Sequence, residues 1–191
     1  MILGLLLAVV VSMAAGFDRR CEAVRENVLR LHILANSDSE EDQTLKLRVR
    51  DAVLQATEEE LAAAQSRAET EKIAERLLPR IKRTAEDTLA AAGCSDAVRV
   101  SMVNMYFETR EYDGRTLPAG YYDAVRIELG AAAGHNWWCV LFPQLCIGTA
   151  AESSEVEQIE KLAKAPEYRL SFALVEWLER LLALPREKQQ A

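Results

Sequence analysis

The chain has 191 residues, of which 50% are hydrophobic, so it is long and apolar enough for one domain with its own core. Its formal net charge of -7 at pH 7 argues against a nucleic-acid partner, because a duplex binder needs clustered Lys and Arg to displace counterions. The basic residues are instead interleaved with acids, as in Lys46–Asp51 and Arg80–Asp87, which is typical of solvated helix faces.

The first sixteen residues carry no charge and form an apolar run that ends in small residues from Ser12 to Gly16. This order is typical of a secretory signal, in which a hydrophobic stretch precedes a small-residue cleavage zone. The run falls short of the ~20 apolar residues that a membrane-spanning helix needs. Because it has no basic residue at its start, two outcomes stay open. Residues 1–16 are either a cleaved signal peptide or a short membrane anchor, and both predict export of residues 17–191.

The exported part opens with a predicted short helix over 21–27, followed by a strand over 28–36. In this strand apolar residues alternate with Arg30 and His32, a period of two that indicates extended structure.

Two long helices are predicted next. Acids crowd the start of the first, over 40–64, and apolar residues follow at helical spacing. Ser37 or Ser39, each with an acid three residues later, is the expected cap. The second helix covers 69–92, and Pro79 is expected to bend or interrupt it.

After Gly93 the period changes to that of strands. Three strands are predicted, at 97–107, 121–129 and 137–142, and two closing helices, at 153–164 and 168–184. The first two strands are joined by a segment with Asp113-Gly114 and Pro118, turn chemistry that predicts an extended hairpin loop. Connections too short for crossover helices favour antiparallel pairing. The sequence therefore predicts a single α+β domain with a mainly antiparallel sheet and helices packed on one face.

The stretch GHNWWCVLFPQLC, which begins at Gly134, concentrates two of the chain's three tryptophans and two of its four cysteines. Gly134 is expected to give the backbone freedom to enter the strand, while His135 and Asn136 offer hydrogen-bonding groups at its mouth. In an extended segment Trp137 and Trp138 point to opposite faces, so one can anchor the core while the other contacts a partner. The alternative is that flanking helices bury both. Our candidate partner contact consists of His135, Asn136, Trp137 and Trp138.

Cys139 and Cys146 are separated by six residues, with Pro143 between them. In the oxidising compartment that export implies, this pair is expected to form a disulfide. Closing so small a loop removes chain entropy worth about 2.5 kcal/mol. The alternative is two buried thiols that pack as small hydrophobes. No pattern pairs Cys21 with Cys94.

An exported cysteine hydrolase that acts on peptidoglycan or peptide is the alternative from another functional class. Cys139 would be its nucleophile, with His135 or His32 as the base and Asn136 as the orienting group. In an extended strand, however, residues 135 and 139 lie about 13 Å apart. Oxidation of Cys139 would also remove the nucleophile.

Metal and carboxylate chemistry have still weaker support. The two histidines are 103 positions apart, and neither they nor the C-x6-C spacing match the close ligand pairs of zinc sites. None of the thirty acidic residues is marked by its context as a catalytic carboxylate. We therefore predict no catalytic, cofactor-binding or metal-ligating residues and no cofactor.

Two longer stretches carry a family resemblance: LRLHILANSDSEEDQTLKLRVRDAVL at 29–54 and LPAGYYDAVRIELGAAAGHNWWCVLFPQLC at 117–146. Together with the short hydrophobic leader, they resemble the stage II sporulation protein R family of endospore-forming bacteria. The GHNWWCVLFP segment is the most specific part of this resemblance.

The resemblance implies a protein that is made in the forespore and secreted into the space between forespore and mother cell. There it would activate a membrane-embedded aspartic protease of the mother cell, which removes the pro-sequence of the early mother-cell sigma factor. It implies an activating ligand rather than an enzyme, and one that stays anchored to a membrane if the leader is retained. The candidate partner contact would then be a receptor contact.

Overall fold

The computed structural model describes Arg19, residues 21–112 and residues 115–143. Three predicted features lie outside these residues: the leader, the two closing helices and Cys146. Residues 21–26 are helical. The elements that follow are β1 (Leu29–Leu34), α1 (Glu40–Ala62), α2 (Arg67–Ala91), β2 (Val98–Phe107), β3 (Arg110–Tyr112), β4 (Arg115–Leu117), β5 (Gly120–Leu129) and β6 (Asn136–Phe142).

The strands of the described residues form a four-stranded sheet of order β2-β5-β1-β6 and a separate β3–β4 hairpin. The hairpin confirms that the connection between β2 and β5 is an extended loop. The α+β class is also confirmed. The sheet is mixed rather than purely antiparallel: β1–β6 and β2–β5 are antiparallel, as the prediction of a mainly antiparallel sheet requires, but β1 runs parallel to β5. The short connections join only the later strands, whereas α1 and α2 separate β1 from them and allow a parallel neighbour.

Serine side chains cap both long helices. Ser39 accepts a hydrogen bond from the Asp42 N–H at the start of α1, and Ser66 accepts one from the Glu69 N–H at the start of α2. Ser39 is one of the two caps that the sequence predicts, and acids in the first turn of α1 complement the helix dipole. Within the described ranges, no helix combines the length and hydropathy needed to cross a membrane.

Of the bend or interruption predicted at Pro79, the interruption is wrong, because α2 continues through this residue. Pro79 has no N–H to donate to the carbonyl of Glu75, but both residues are exposed, so water can satisfy that carbonyl. Leu77 and Ile81 on the opposite side are buried in the core. Packing of this side against the sheet holds the helix continuous.

The central strand β1 is buried along its whole length, which means that both faces of the sheet are covered there. One face, which we call the helix face, carries Leu31 and Ile33 and packs against α1 and α2. Trp137 lies on this face beside Ile33, and Arg50 of α1 lies 5.2 Å from its ring centroid.

The opposite face of the sheet, which we call the Arg30 face, differs in chemistry. It joins two basic side chains to aromatic and small apolar ones: Arg30, His32, Phe107, Tyr122, Ala124, Trp138 and Val140. All of these are buried except Trp138, which is half-buried. The β3–β4 hairpin reaches this side, because the Arg110 guanidinium lies 5.9 Å from the Trp138 ring centroid.

Candidate functional site

The loop after β1 and the turn before β6 are hydrogen-bonded to each other. The N–H of Ala133 donates to the carbonyl of Asn36 at 3.1 Å, and the N–H of Gly134 donates to the carbonyl of Ala35 at 3.0 Å. We call the two segments together the loop clasp: residues 35–39 and 130–135. It joins the two stretches that carry the family resemblance, at the point where β6 begins.

Side chains connect the loop clasp to the first turn of α1. The Asn36 amide accepts the N–H of Ala131 at 2.9 Å and donates to the Asp42 carboxylate at 3.0 Å. The Ser37 hydroxyl donates to the same carboxylate at 2.5 Å. The Ser37 hydroxyl, followed by the Asn36 amide, holds the pKa of Asp42 below its ordinary value. A charged Asp42 therefore ties the first segment of the clasp to the helix N-terminus, and Asn36 extends the link to the second segment through Ala131.

His135 is displayed at the surface by contacts from both sides. Its N–H and its ring Nδ1 each lie 2.5 Å from the Asp38 carboxylate, while its side chain stays 80% exposed. These hydrogen bonds, the ring contact first, lower the pKa of Asp38. On the other side the Lys46 ammonium donates to the His135 carbonyl at 2.9 Å, and burial lowers the pKa of Lys46. The backbone of His135 is thus fixed while its imidazole faces solvent.

Two glycines allow the segments of the clasp to approach closely. A Cβ on Gly134 would lie 2.1 Å from the carbonyl oxygen of Ser37, and a Cβ on Gly130 would lie 2.2 Å from the Asn36 side-chain oxygen. Gly130 also has a φ of +56°, whereas Gly134 has no left-handed φ. Gly134 is therefore required for close backbone approach rather than for the conformational freedom that the sequence suggests.

The two tryptophans of the candidate contact lie on opposite faces of the sheet, as the period of an extended strand predicts. Trp137 packs on the helix face beside Arg50. Trp138 stacks on His32, with ring centroids 3.8 Å apart and planes at 8°, and meets Phe107 edge-on at 4.7 Å. Both tryptophans are half-buried, so each combines a core contact with an accessible edge.

His32 is buried in the Arg30 face, where it is 1% exposed. Burial, then the charges of Arg126 and Arg30, lower the pKa of His32 to about 3, while the Asn136 side chain opposes the shift. His32 is therefore neutral at neutral pH and stacks on Trp138 as an uncharged ring.

The described geometry does not assemble the cysteine–histidine pair of the hydrolase alternative. Cys139 is 1% exposed and lies opposite Leu31 on the helix face. His32 lies on the other face of the sheet, and His135 stands exposed in the loop clasp. Cys146 is outside the described residues, so the disulfide stays a prediction. Within the described part of the chain, no group of three His, Cys, Asp or Glu side chains could hold a metal ion.

Several residues that build the site were not predicted as part of it. Asn36, Asp38 and Lys46 act on residues about a hundred positions away, and no local period reports such contacts. One signal was present: polar side chains that follow a buried strand directly, as Asn36 and Ser37 do, often hydrogen-bond to backbone groups.

Comparison with known proteins gives two matches to this chain. The family model of stage II sporulation protein R matches residues 25–152. A curated relative, stage II sporulation protein R of Bacillus subtilis (strain 168), is 37% identical over 143 residues, which cover 72% of this chain and 64% of the relative. The chain thus spans less than two thirds of that relative's length. No solved structure matches. The loop clasp and β6 lie inside the matched residues.

Gly134→Ala should destabilise the protein through the loop clasp. The new Cβ would collide with the Ser37 carbonyl, so we expect the free energy of unfolding to fall by about 1–3 kcal/mol. Hydrogen exchange at residues 133 and 134 should accelerate as their bonds to the loop after β1 weaken. Ala133→Ser, at an exposed position of the same turn, should change stability by no more than about 0.5 kcal/mol. Equal stability of the two variants in urea would contradict the close approach.

His32→Phe should reduce the sensitivity of the fold to acid. His32 has a folded pKa below its ordinary value of 6.5, so the unfolded chain takes up a proton that the folded chain does not. Its contribution to stability is complete above pH 6.5 and is lost as the pH falls toward about 3, at up to about 1.4 kcal/mol per pH unit. Urea unfolding at a series of pH values should show a shallower slope for His32→Phe. Trp138→Phe should keep the wild-type slope, and an unchanged slope in His32→Phe would refute the buried neutral ring.

Proposed function

We propose that this chain, which belongs to the stage II sporulation protein R family, is a secreted sporulation signal that activates a membrane-embedded aspartic protease. The protease, in the mother-cell membrane, processes the pro-form of the early mother-cell sigma factor. The signal acts from the space between forespore and mother cell. The uncharged apolar leader supports export, either as a cleaved signal peptide or as a short membrane anchor.

The observation that carries this proposal is the loop clasp. It brings together, from positions 97 residues apart, the two stretches in which the family resemblance is concentrated. The clasp fixes backbone atoms while it leaves His135 and Asn136 exposed. A binding surface that is already ordered loses less conformational entropy on association, so a fixed clasp suits a ligand that acts by contact.

The exposure of β6 supports a receptor contact at the start of the strand. Asn136 is exposed and the two tryptophans that follow are half-buried, whereas the last four residues of the strand are buried. A receptor could therefore reach His135, Asn136 and the accessible edges of Trp137 and Trp138. Tryptophans with a core contact and a free edge are frequent interface anchors.

A disulfide between Cys139 and Cys146 would hold the far end of β6 to the segment that follows it. After denaturation without reductant, alkylation should leave Cys139 and Cys146 unmodified, and mass spectrometry should find both modified once reductant is added. Cys94, a free thiol, should react in both conditions and serves as the internal control. A Cys139 that is alkylated without reductant would contradict the disulfide and restore the nucleophile of the hydrolase alternative.

His135→Ala and Asn136→Ala should weaken activation without unfolding the protein, because both side chains are exposed. Loss of an interface contact worth more than about 1 kcal/mol lowers affinity roughly fivefold to tenfold, so the half-maximal dose should rise by that factor. The assay adds the purified domain to cells that express the receptor and its pro-sigma substrate, and measures the processed fraction.

Glu75→Ala, on the exposed side of α2, is the matched control and should activate like wild type. Trp137→Ala and Trp138→Ala extend the test to the half-buried positions, with far-UV circular dichroism to confirm folding. If all four variants fold and activate fully, the candidate contact has no part in receptor binding. If wild-type protein itself fails to trigger processing, the proposed function is wrong.

A further inference from the structure

Strand β2 forms one edge of the four-stranded sheet, and within the described residues no strand pairs with its outer side. All ten of its residues, Val98–Phe107, pair with β5 in one unbroken antiparallel register. Strands in globular proteins usually have about five or six residues, and edge strands tend to be kept short. β2 is therefore a long and regular edge, with alternate backbone N–H and C=O groups directed to its outer side.

β2 lacks the features by which proteins usually protect such an edge. Pro and Lys are absent from its sequence, VRVSMVNMYF, and its register has no bulge. Arg99 is its single charged residue, and this side chain is bound to Glu128 of β5. Proline, lysine, inward-pointing charges and bulges are the common means of keeping two edges apart. A long edge without them is suited to the addition of another strand.

Apolar side chains on both faces of β2 are only partly covered. Val100 and Met102 lie on the helix face, whereas Val103 and Met105 lie on the Arg30 face. All four pack against the core but remain half-buried. A strand added at the outer side of β2 would cover more of these side chains on both faces at once.

A second copy of the chain supplies what this edge needs. Because α2 packs on β2, a copy brings a strand together with a helix that covers the helix face beside it. A lone extended peptide brings the strand without that helix. The charges also allow β2 to pair with itself. In an antiparallel pairing about its middle, each Arg99 lies opposite an apolar residue of the other copy, Met105 or Phe107, and not opposite the other Arg99.

We propose that two copies of this chain pair antiparallel through β2, which joins their four-stranded sheets into one continuous sheet. A two-fold axis perpendicular to the sheet keeps α1 and α2 of both copies on the same side. The axis passes through the middle of β2, so either Met102 or Val103 stands opposite its own counterpart. β6 is the other edge of the sheet, so the candidate partner contact of each copy stays accessible. This inference is independent of the proposed function.

Cysteine cross-linking of the full chain tests the pairing. Residues directly opposite each other on antiparallel strands have Cα atoms about 4.5–5.5 Å apart, within reach of a disulfide. Mild oxidation should therefore link most of the Met102→Cys or the Val103→Cys protein into dimers on a non-reducing gel. Asn104→Cys is the matched control, because this exposed position stands at least two residues, about 7 Å along the strand, from its counterpart. Wild type measures the background from the free thiol of Cys94.

Sedimentation of the full chain tests the same edge without a new thiol. Ser101→Lys, at an exposed position of β2, places a charge of the kind that protects edges and opposes it to the same charge in the other copy. It should raise the dissociation constant of the dimer at least about tenfold. Gln55→Lys adds the same charge on the exposed side of α1 and should leave the constant unchanged. Association driven by the leader would respond to neither variant.

Other outcomes identify other occupants of the edge and overturn the proposal. If neither Met102→Cys nor Val103→Cys cross-links above the wild-type level, the two β2 edges do not meet. If Ser101→Lys dimerises as tightly as wild type, the copies associate elsewhere. A monomer with slow hydrogen exchange along β2 would mean that another part of the chain covers this edge. A monomer with fast exchange would leave the edge open for a different partner, such as an extended peptide.

Discussion

Close approach between the Ser37 carbonyl and Gly134 is the constraint on which the start of β6 depends. It allows Ala133 and Gly134 to donate their N–H groups to the loop after β1, and these bonds fix the register of β6 on the central strand. Successive side chains of a strand point to opposite faces, so a shift by one residue would exchange the positions of Trp137 and Trp138. The loop clasp therefore decides which tryptophan packs under α1 and which one enters the Arg30 face.

The two faces of the sheet bury side chains of different chemistry. The helix face is a conventional apolar interior, whereas the Arg30 face buries a guanidinium and an imidazole among aromatic rings. His32 remains neutral in the folded protein, so it buries no charge. As a result, the free energy of unfolding falls as the pH is lowered. The planar guanidinium of Arg30 stacks against the Phe107 ring, as a lysine ammonium cannot. The Arg30 face, which carries Trp138, therefore combines buried polar groups with aromatic rings, whereas the helix face is apolar.

Local patterns in the sequence predicted the features that depend on neighbouring residues. The period of β1, the Ser39 cap and the opposite orientations of the two tryptophans are of this kind. The parallel β1–β5 pair and the loop clasp depend on residues far apart in the chain, for which a single sequence carries no periodic signal. The continuity of α2 through Pro79 also depends on tertiary contacts, because packing overrides the local preference of proline for a helix end.

The burial of β6 also limits how a partner can bind. Binding by addition of a strand along β6 would need access to the whole length of the strand, but its last four residues are buried. A partner that approaches the first residues meets backbone already fixed by Asp38 and Lys46 and side chains that remain exposed. Folding has already ordered this surface, so a partner loses little conformational entropy there on binding. Contact with a few side chains can then be enough for binding. The proposed receptor contact is therefore end-on at the loop clasp rather than a pairing along the strand.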